Sequence, residues 1–130
     1  QPSLSLLTTN ALVASQYIVI PCDSSKYALT GMKNLLNKFN DIKHNCNPDL
    51  SILGIVNTKV DNRYKTAKLS RQKLQEFFGD LMFATSIPRN ATVEKAQYEE
   101  KTLFAYGKQN VVSQAYDQLT KEMIDRVQTH

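Results

Sequence analysis

Three short runs of apolar, mostly β-branched residues constrain the fold of this chain more than any other feature. They occupy residues 17–22, 52–57 and 81–87, and none of them alternates cleanly with polar residues. Such runs are typical of strands buried on both faces, as in parallel sheets. Segments of helical period separate them, so the order α-β-α-β-α-β-(α)-α predicts a three-layer α/β fold with an open, mostly parallel sheet.

Four helices are predicted around these strands. The first covers residues 4–15 and is apolar enough to be largely buried. The second carries an apolar stripe from Leu29 to Ile42, with an N-cap from Asp23, Ser24 or Ser25, and it ends before Pro48.

The third and fourth helices are predicted over residues 65–78 and 110–127. In the third, Leu74, Phe77 and Phe78 face inward, and Gly79 is expected at the C′ position. The inward face predicted for the fourth helix comprises Val112, Ala115, Tyr116, Leu119, Met123 and Val127.

The number of strands and the length of the chain disagree slightly. The chain has 130 residues, which suits a single domain. Three parallel strands would nevertheless leave at least one long apolar edge unpaired, which is an aggregation hazard. We therefore expect either a partner that covers this edge or an N-terminal half that carries further strands.

Several classes of function are disfavoured by the sequence. The two Cys and two His residues do not have the spacing of a zinc site. The chain contains no Gly-rich phosphate loop, no nucleophile elbow and no apolar run of the roughly 20 residues that cross a bilayer. Glu94, Glu99 and Glu100 lie among lysines, as expected for pairing on a helix surface.

The loops at the ends of the strands are the expected location of a ligand site, because open α/β sheets bind ligands beyond the carboxyl ends of their strands. Asn57 ends the second run, and Pro88 and Asn90 follow the third. An Asn amide offers an acceptor and two donors, which matches the edge of adenine. Asn and Pro are also common turn residues, so the pattern alone leaves both interpretations open.

Basic residues cluster in one stretch of the chain. The net charge is +4, with 16 Lys+Arg against 12 Asp+Glu. Residues 62–75 contain no acid but five cations, namely Arg63, Lys65, Lys68, Arg71 and Lys73. This stretch is either a surface for phosphates or a solvated helix face. Four phosphate contacts would give log K a slope of about −4 against log salt.

Motifs along the whole chain resemble those of ParA-type partition ATPases, the deviant Walker family that includes MinD-like proteins. Residues 1–8, QPSLSLLT, resemble the family's D-x-P-P-S-L-x-L-L-T. Residues 10–14, 20–21 and 27–32 are similar to its N-A-L-x-A, V/I-P and Y-A-L-E-G-L. Residues 53–58 with Asp61 resemble its L-G-[IV]-x-x-[TN] strand and loop, and residues 87–90 match its I-P-R-[ND], the most specific of these motifs.

This resemblance implies a P-loop NTPase-like fold of which the chain forms the C-terminal part. It implies ATP and Mg²⁺ as cofactors of the intact protein, an ATP-bound homodimer, nonspecific DNA binding and a centromere-binding adaptor protein. The positions that surround adenine in the family correspond to Asn57, Pro88, Arg89 and Asn90 in this chain. Arg63 matches a family arginine linked to DNA binding, which supports a DNA surface of Arg63, Lys65, Lys68 and Arg71.

The sequence departs from the family pattern at several positions. Thr92 stands where the family has a second arginine linked to DNA, and Thr30 replaces its Glu. The family's phosphate loop and its acidic Mg²⁺-linked residue would precede Gln1. We therefore expect no catalytic residues, no tightly bound cofactor and no ATP hydrolysis from this chain alone.

Three functional hypotheses follow from the sequence. The first is the C-terminal part of a cytoplasmic, nucleoid-associated partition ATPase that segregates plasmids or chromosomes. The second is a stand-alone, non-enzymatic module that binds DNA or a partner. The third is a MinD-like cell-division ATPase, which is disfavoured because the C-terminal stretch carries Asp117, Glu122 and Asp125 instead of a basic membrane-binding face.

Overall fold

The computed structural model describes residues 5–23, 28–61, 63–102 and 110–129. In these residues helices and strands alternate in the predicted order up to the third run. The elements are α1 (Leu6–Ala14), β1 (Tyr17–Cys22), α2 (Ala28–Asn45), β2 (Ser51–Asn57), α3 (Lys65–Phe78), a 3₁₀ turn (Gly79–Leu81), α4 (Ala91–Tyr98) and α5 (Val111–Thr129).

The sheet is parallel, as the uninterrupted apolar runs predict. β1 and β2 pair from Tyr17 opposite Ser51 to Cys22 opposite Asn57, with a register shift after Ile18. Helix α2 forms the crossover between them, since parallel neighbours need a long connection. The prediction of an α/β fold with a parallel sheet and flanking helices is confirmed.

Apolar side chains pack on both faces of β2, which makes the fold three-layered. On one face, Leu53 and Val56 pack with Phe83, Ile87 and the inner side of α5. On the other face, Ile55 packs with Met32 of α2 and Leu74 of α3. A smaller cluster joins Leu12 of α1 to α2. Burial on both faces explains why these strands do not alternate with polar residues.

The third predicted strand, residues 81–87, is wrong as a regular strand. In the described part of the chain this segment forms one isolated parallel bridge, Ile55 with Met82, and a second bridge, Val60 with Pro88, lies just after it. The backbone N–H groups of Ala84 and Thr85 donate instead to the carboxylate of Glu122. A side chain of α5 thus accepts hydrogen bonds from backbone N–H groups that would otherwise pair with a neighbouring strand.

The structure agrees with the predicted bounds of the helices better than with their predicted buried faces. Helix α3 has the predicted bounds, and Gly79 follows it with φ +51°. Phe77, Tyr116 and Val127, predicted inside, are 69%, 45% and 44% exposed. Helix α1 is not largely buried, since its sole buried residue is Leu12. Ser24 and Ser25, the alternative N-caps, lie outside the described residues.

Candidate nucleotide and nucleic-acid interface

The carboxyl end of β2 meets the loop after residue 86 through a short series of backbone hydrogen bonds. The Ile87 N–H donates to the Asn57 carbonyl at 2.8 Å, and the Val60 N–H donates to the Ile87 carbonyl at 3.1 Å. The Arg89 N–H then donates to the Val60 carbonyl at 2.9 Å. These bonds bring together the two loops that carry the predicted adenine residues.

Asn57 is a buried polar side chain at this junction. It is 1% exposed, and among the described residues neither its amide nitrogen nor its amide oxygen has a hydrogen-bond partner. A buried polar group without a partner costs about 1–3 kcal/mol. Such a group indicates either a function or a missing partner.

The remaining predicted adenine residues lie within three positions of one another. Pro88 and Asn90 are half-buried, whereas Arg89 is exposed. On the opposite side of Asn57, Cys22 ends β1, and the Thr58 N–H donates to its carbonyl at 3.0 Å. Burial, with a smaller contribution from Asp23, raises the pKa of the Cys22 thiol, so this sulfur is a neutral packing group.

Arg63 is held by Asp61 in a two-point contact. Its Nε donates to Oδ1 at 2.9 Å and its Nη2 to Oδ2 at 2.7 Å, while the Arg63 backbone N–H donates to Oδ1 at 3.2 Å. The side chains of Arg63 and Asp61 are 81% and 18% exposed. The side-chain hydrogen bonds from Arg63 lower the pKa of Asp61 to about 2, so the carboxylate remains charged.

The basic residues of α3 face solvent near its start. Lys65, Lys68 and Arg71 are exposed, and the first turn contains no acid. Tyr64 at the N-cap position makes no side-chain capping bond in the described part of the chain. Cations at the positive end of a helix dipole are unfavourable by about 0.3–1 kcal/mol each. An anion bound at this end would relieve that repulsion.

Sequence reasoning did not identify the two charged residues of α5 that hold the segment after Gly79. Arg126 donates to the carbonyls of Leu53 at 2.9 Å, Leu81 at 3.0 Å and Met82 at 2.8 Å. Glu122 accepts from the N–H groups of Ala84 and Thr85 at 2.9 and 2.7 Å, and from the Thr85 hydroxyl.

Burial disfavours the charge of Glu122, but these hydrogen bonds and the charge of Arg126 outweigh it and lower its pKa. A signal for the pair existed in the sequence. Glu122 and Arg126 continue the inward-facing positions of Ala115 and Leu119 at helical spacing, where apolar residues are expected.

Within the described residues no group of three or more His, Cys, Asp or Glu side chains could hold a metal ion. No described helix has both the length and the apolar character that a membrane span requires.

Comparison with known proteins identifies the class of this fold. Cobyrinic acid a,c-diamide synthase from Mycobacterium smegmatis, solved with a bound ATP analog and magnesium, superimposes with a TM-score of 0.61 and 29% sequence identity. The match covers 76% of this chain and 41% of that one. The architecture is therefore that of a P-loop NTPase-like α/β protein.

Sequence relatives narrow the class. A family model described as AAA domain matches residues 1–52. The chromosome-partitioning ATPase Soj of Thermus thermophilus is 37% identical over 127 residues, 98% of this chain and 51% of that protein. The chromosome partitioning protein ParA of Caulobacter vibrioides is 33% identical over 125 residues, 96% of this chain and 47% of that protein. The chain is similar to ParA-type partition ATPases over nearly all of its own length and spans about half the length of these relatives.

Proposed function

We propose that this chain is part of a ParA-type ATPase that partitions chromosomes or plasmids, and that it supplies the contacts to adenine and a nonspecific DNA-binding surface. The names of its relatives, a chromosome-partitioning ATPase and a chromosome partitioning protein, support the process. The geometry at the carboxyl end of β2 supports the adenine contacts that we assign to this chain.

The observation that carries the nucleotide assignment is the unpartnered amide of Asn57. Its two donors and its acceptor match the N6 and ring-nitrogen edge of adenine. Pro88 and Asn90, tied to β2 by the backbone bonds described above, would bound the same base. Because Asn57 is 1% exposed, the base reaches its amide only if the residues that bury it move.

The described residues are suited to contact the adenine base, but they offer no site for the phosphates or for Mg²⁺. They contain no cluster for a metal ion, and the sequence contains no Gly-rich phosphate loop. Hydrolysis by such proteins depends on cradling phosphates and neutralising their charge with the metal. We assign those contacts to parts of the intact protein other than these residues, and we expect no hydrolysis by this chain alone.

Adenine contacts alone bind weakly. About ten ring atoms at roughly 0.3 kcal/mol each contribute about 3 kcal/mol, which corresponds to millimolar affinity or weaker. The contribution of Asn57 is therefore best measured in the full-length natural protein, where the phosphates are also bound.

The DNA surface that we propose comprises Arg63, Lys65, Lys68 and Arg71. Lys65 and Lys68 lie one turn apart on an exposed face of α3, and Arg71 lies beside them. The absence of acids from residues 62–75 leaves this face strongly positive. Contacts of this type bind phosphates without reading base sequence.

The partners and location of the intact protein are proposals that rest on its similarity to the ParA-type relatives. They are an ATP-dependent homodimer, a centromere-binding adaptor and a cytoplasmic, nucleoid-associated location without membrane binding.

Titration of the full-length protein with a fluorescent ATP analogue tests the nucleotide assignment. Asn57→Leu removes the amide while keeping its volume, and we expect it to weaken binding about tenfold because one base contact of roughly 1.4 kcal/mol is lost. Asn37→Ala, on the exposed side of α2, is the matched control. Unchanged affinity in a folded Asn57→Leu variant would refute the assignment.

A further inference from the structure

The loop that carries Arg89 is bonded to the residue that precedes Asp61. The hydrogen bonds from Val60 to Ile87 and from Arg89 to Val60 are those of a parallel bridge between Val60 and Pro88. The Arg89 N–H donates to the Val60 carbonyl at 2.9 Å, which places the backbone of Arg89 beside the peptide that links Val60 to Asp61.

Two arginines influence the Asp61 carboxylate, one by direct contact and one by its charge. Arg63 contacts both of its carboxylate oxygens. The charge of Arg89 contributes, after the larger effects of Arg63, to the lowered pKa of Asp61, as expected for a nearby cation. Asp61 is half-buried, whereas both arginines are exposed.

The three side chains together carry an excess of one positive charge, and Asp61 does not use all the N–H donors of Arg63. A guanidinium has five N–H groups, and the Arg63 side chain uses two of them on Asp61. The planar fork of arginine suits the oxygens of a phosphate group better than a lysine ammonium does. The anchored Arg63 is also restricted in its rotamers, which reduces the entropy that binding must overcome.

We propose that Arg63 and Arg89 form a two-arginine clamp for a DNA backbone phosphate, and that Asp61 is the positioning residue that holds Arg63. The inference rests on the proposed DNA binding, and it assigns Arg89 to DNA and not to the base. Because Arg89 lies between Pro88 and Asn90, one short loop then contacts DNA with its middle residue and adenine with its flanking residues.

The experiment is fluorescence anisotropy of the full-length natural protein with ATP and Mg²⁺, titrated into a labelled DNA duplex of arbitrary sequence over a series of salt concentrations. Arg89→Ala is expected to reduce the slope of log K against log salt by about 1 and to leave ATP affinity unchanged. Lys33→Ala, an exposed cation on α2, is the control and should not change the slope.

The Arg89→Lys variant distinguishes a bidentate phosphate contact from a contact that depends only on positive charge. It should restore the slope, because the slope counts charges, but only part of the affinity, because an ammonium lacks the planar fork. Full recovery of affinity would contradict bidentate contact.

The outcomes distinguish this proposal from the proposed function. If Arg89→Ala weakens ATP binding and leaves the DNA slope unchanged, the clamp is overturned. The DNA surface of α3 would still stand, provided that Lys65→Ala with Lys68→Ala lowers the slope by about 2. If the wild-type protein does not bind DNA at low salt, both proposals fail.

Discussion

The guanidinium of Arg126 lies over the ring of Phe83, with its central carbon 4.1 Å from the ring centroid. From this position it also reaches the carbonyls of Leu53, Leu81 and Met82. One side chain of α5 thus links β2 to the segment that leads to Pro88. The position of the proposed base-contacting loop depends on this contact.

Arg126→Ala is expected to destabilise the fold by about 3 kcal/mol. It removes three hydrogen bonds to carbonyls, at roughly 1 kcal/mol each, and a cation–π contact. Arg126→Lys keeps the charge but cannot bridge three carbonyls, so we expect it to recover less than half of the loss. Urea denaturation measures both variants, and Lys121→Ala, an exposed residue of the same helix, is the control. A loss below about 1 kcal/mol in Arg126→Ala would contradict the role of Arg126.

Gly54 allows this contact to form. An ideal Cβ at Gly54 would lie 2.5 Å from Cε2 of Phe83 and closer still to Nη1 of Arg126. Gly54→Ala should therefore displace both side chains and lower stability by about 1–3 kcal/mol. Gly31→Ala is the matched comparison, because nothing lies within 4 Å of a Cβ there. As Gly31 is an exposed helical residue, its replacement should raise stability by about 0.5–1 kcal/mol. Equal thermal midpoints for the two variants would refute this account.

Glu122→Gln tests the other contact of α5. The amide that replaces one carboxylate oxygen is a donor and would face the N–H groups of Ala84 and Thr85. We expect a loss of about 1–3 kcal/mol at neutral pH. The pKa of Glu122 is lowered in the fold, so its contribution is present above the unfolded pKa and is lost as pH falls through the folded one. The difference between wild type and Glu122→Gln should therefore shrink in acid, and a constant difference would contradict the assignment.

The pKa of Asp61 reports the pairing with Arg63 directly. In the fold it is about 2, below the ordinary value of 3.8, chiefly because Arg63 donates to the carboxylate. Stability from this pair is therefore present above pH 3.8 and is lost as pH falls through about 2. NMR titration of the carboxyl carbon should show this midpoint, and Arg63→Ala should move it upward toward the ordinary value. A wild-type midpoint near 3.8 would show that the pair does not form in solution.

The fold could be predicted from the sequence wherever the pattern reflects burial on a regular element. The apolar runs ending at Cys22 and Asn57 predicted β1 and β2, and Gly79 marked the end of α3. The third run failed as a strand because its polar backbone groups bond to Glu122 and Arg126, which lie more than 35 positions away in the sequence. A local pattern cannot reveal such partners.

The candidate site shows the same limit. Asn57 was predicted at a strand end, but its missing hydrogen-bond partners could be seen only when the packing around it was known. Arg63 was predicted as an exposed cation, whereas the structure shows it anchored on Asp61. Neighbouring positions in sequence made that pair possible, but only the turn after Val60 brings the two charges into bidentate contact.

The most direct test of the central claim is the salt dependence of DNA binding by the full-length protein with ATP. We expect log K to fall with log salt at a slope of about −4, and the Lys65→Ala, Lys68→Ala double variant to reduce its magnitude by about 2. No binding to DNA at low salt, or a slope that the double variant leaves unchanged, would contradict the claim that α3 is a DNA-binding surface.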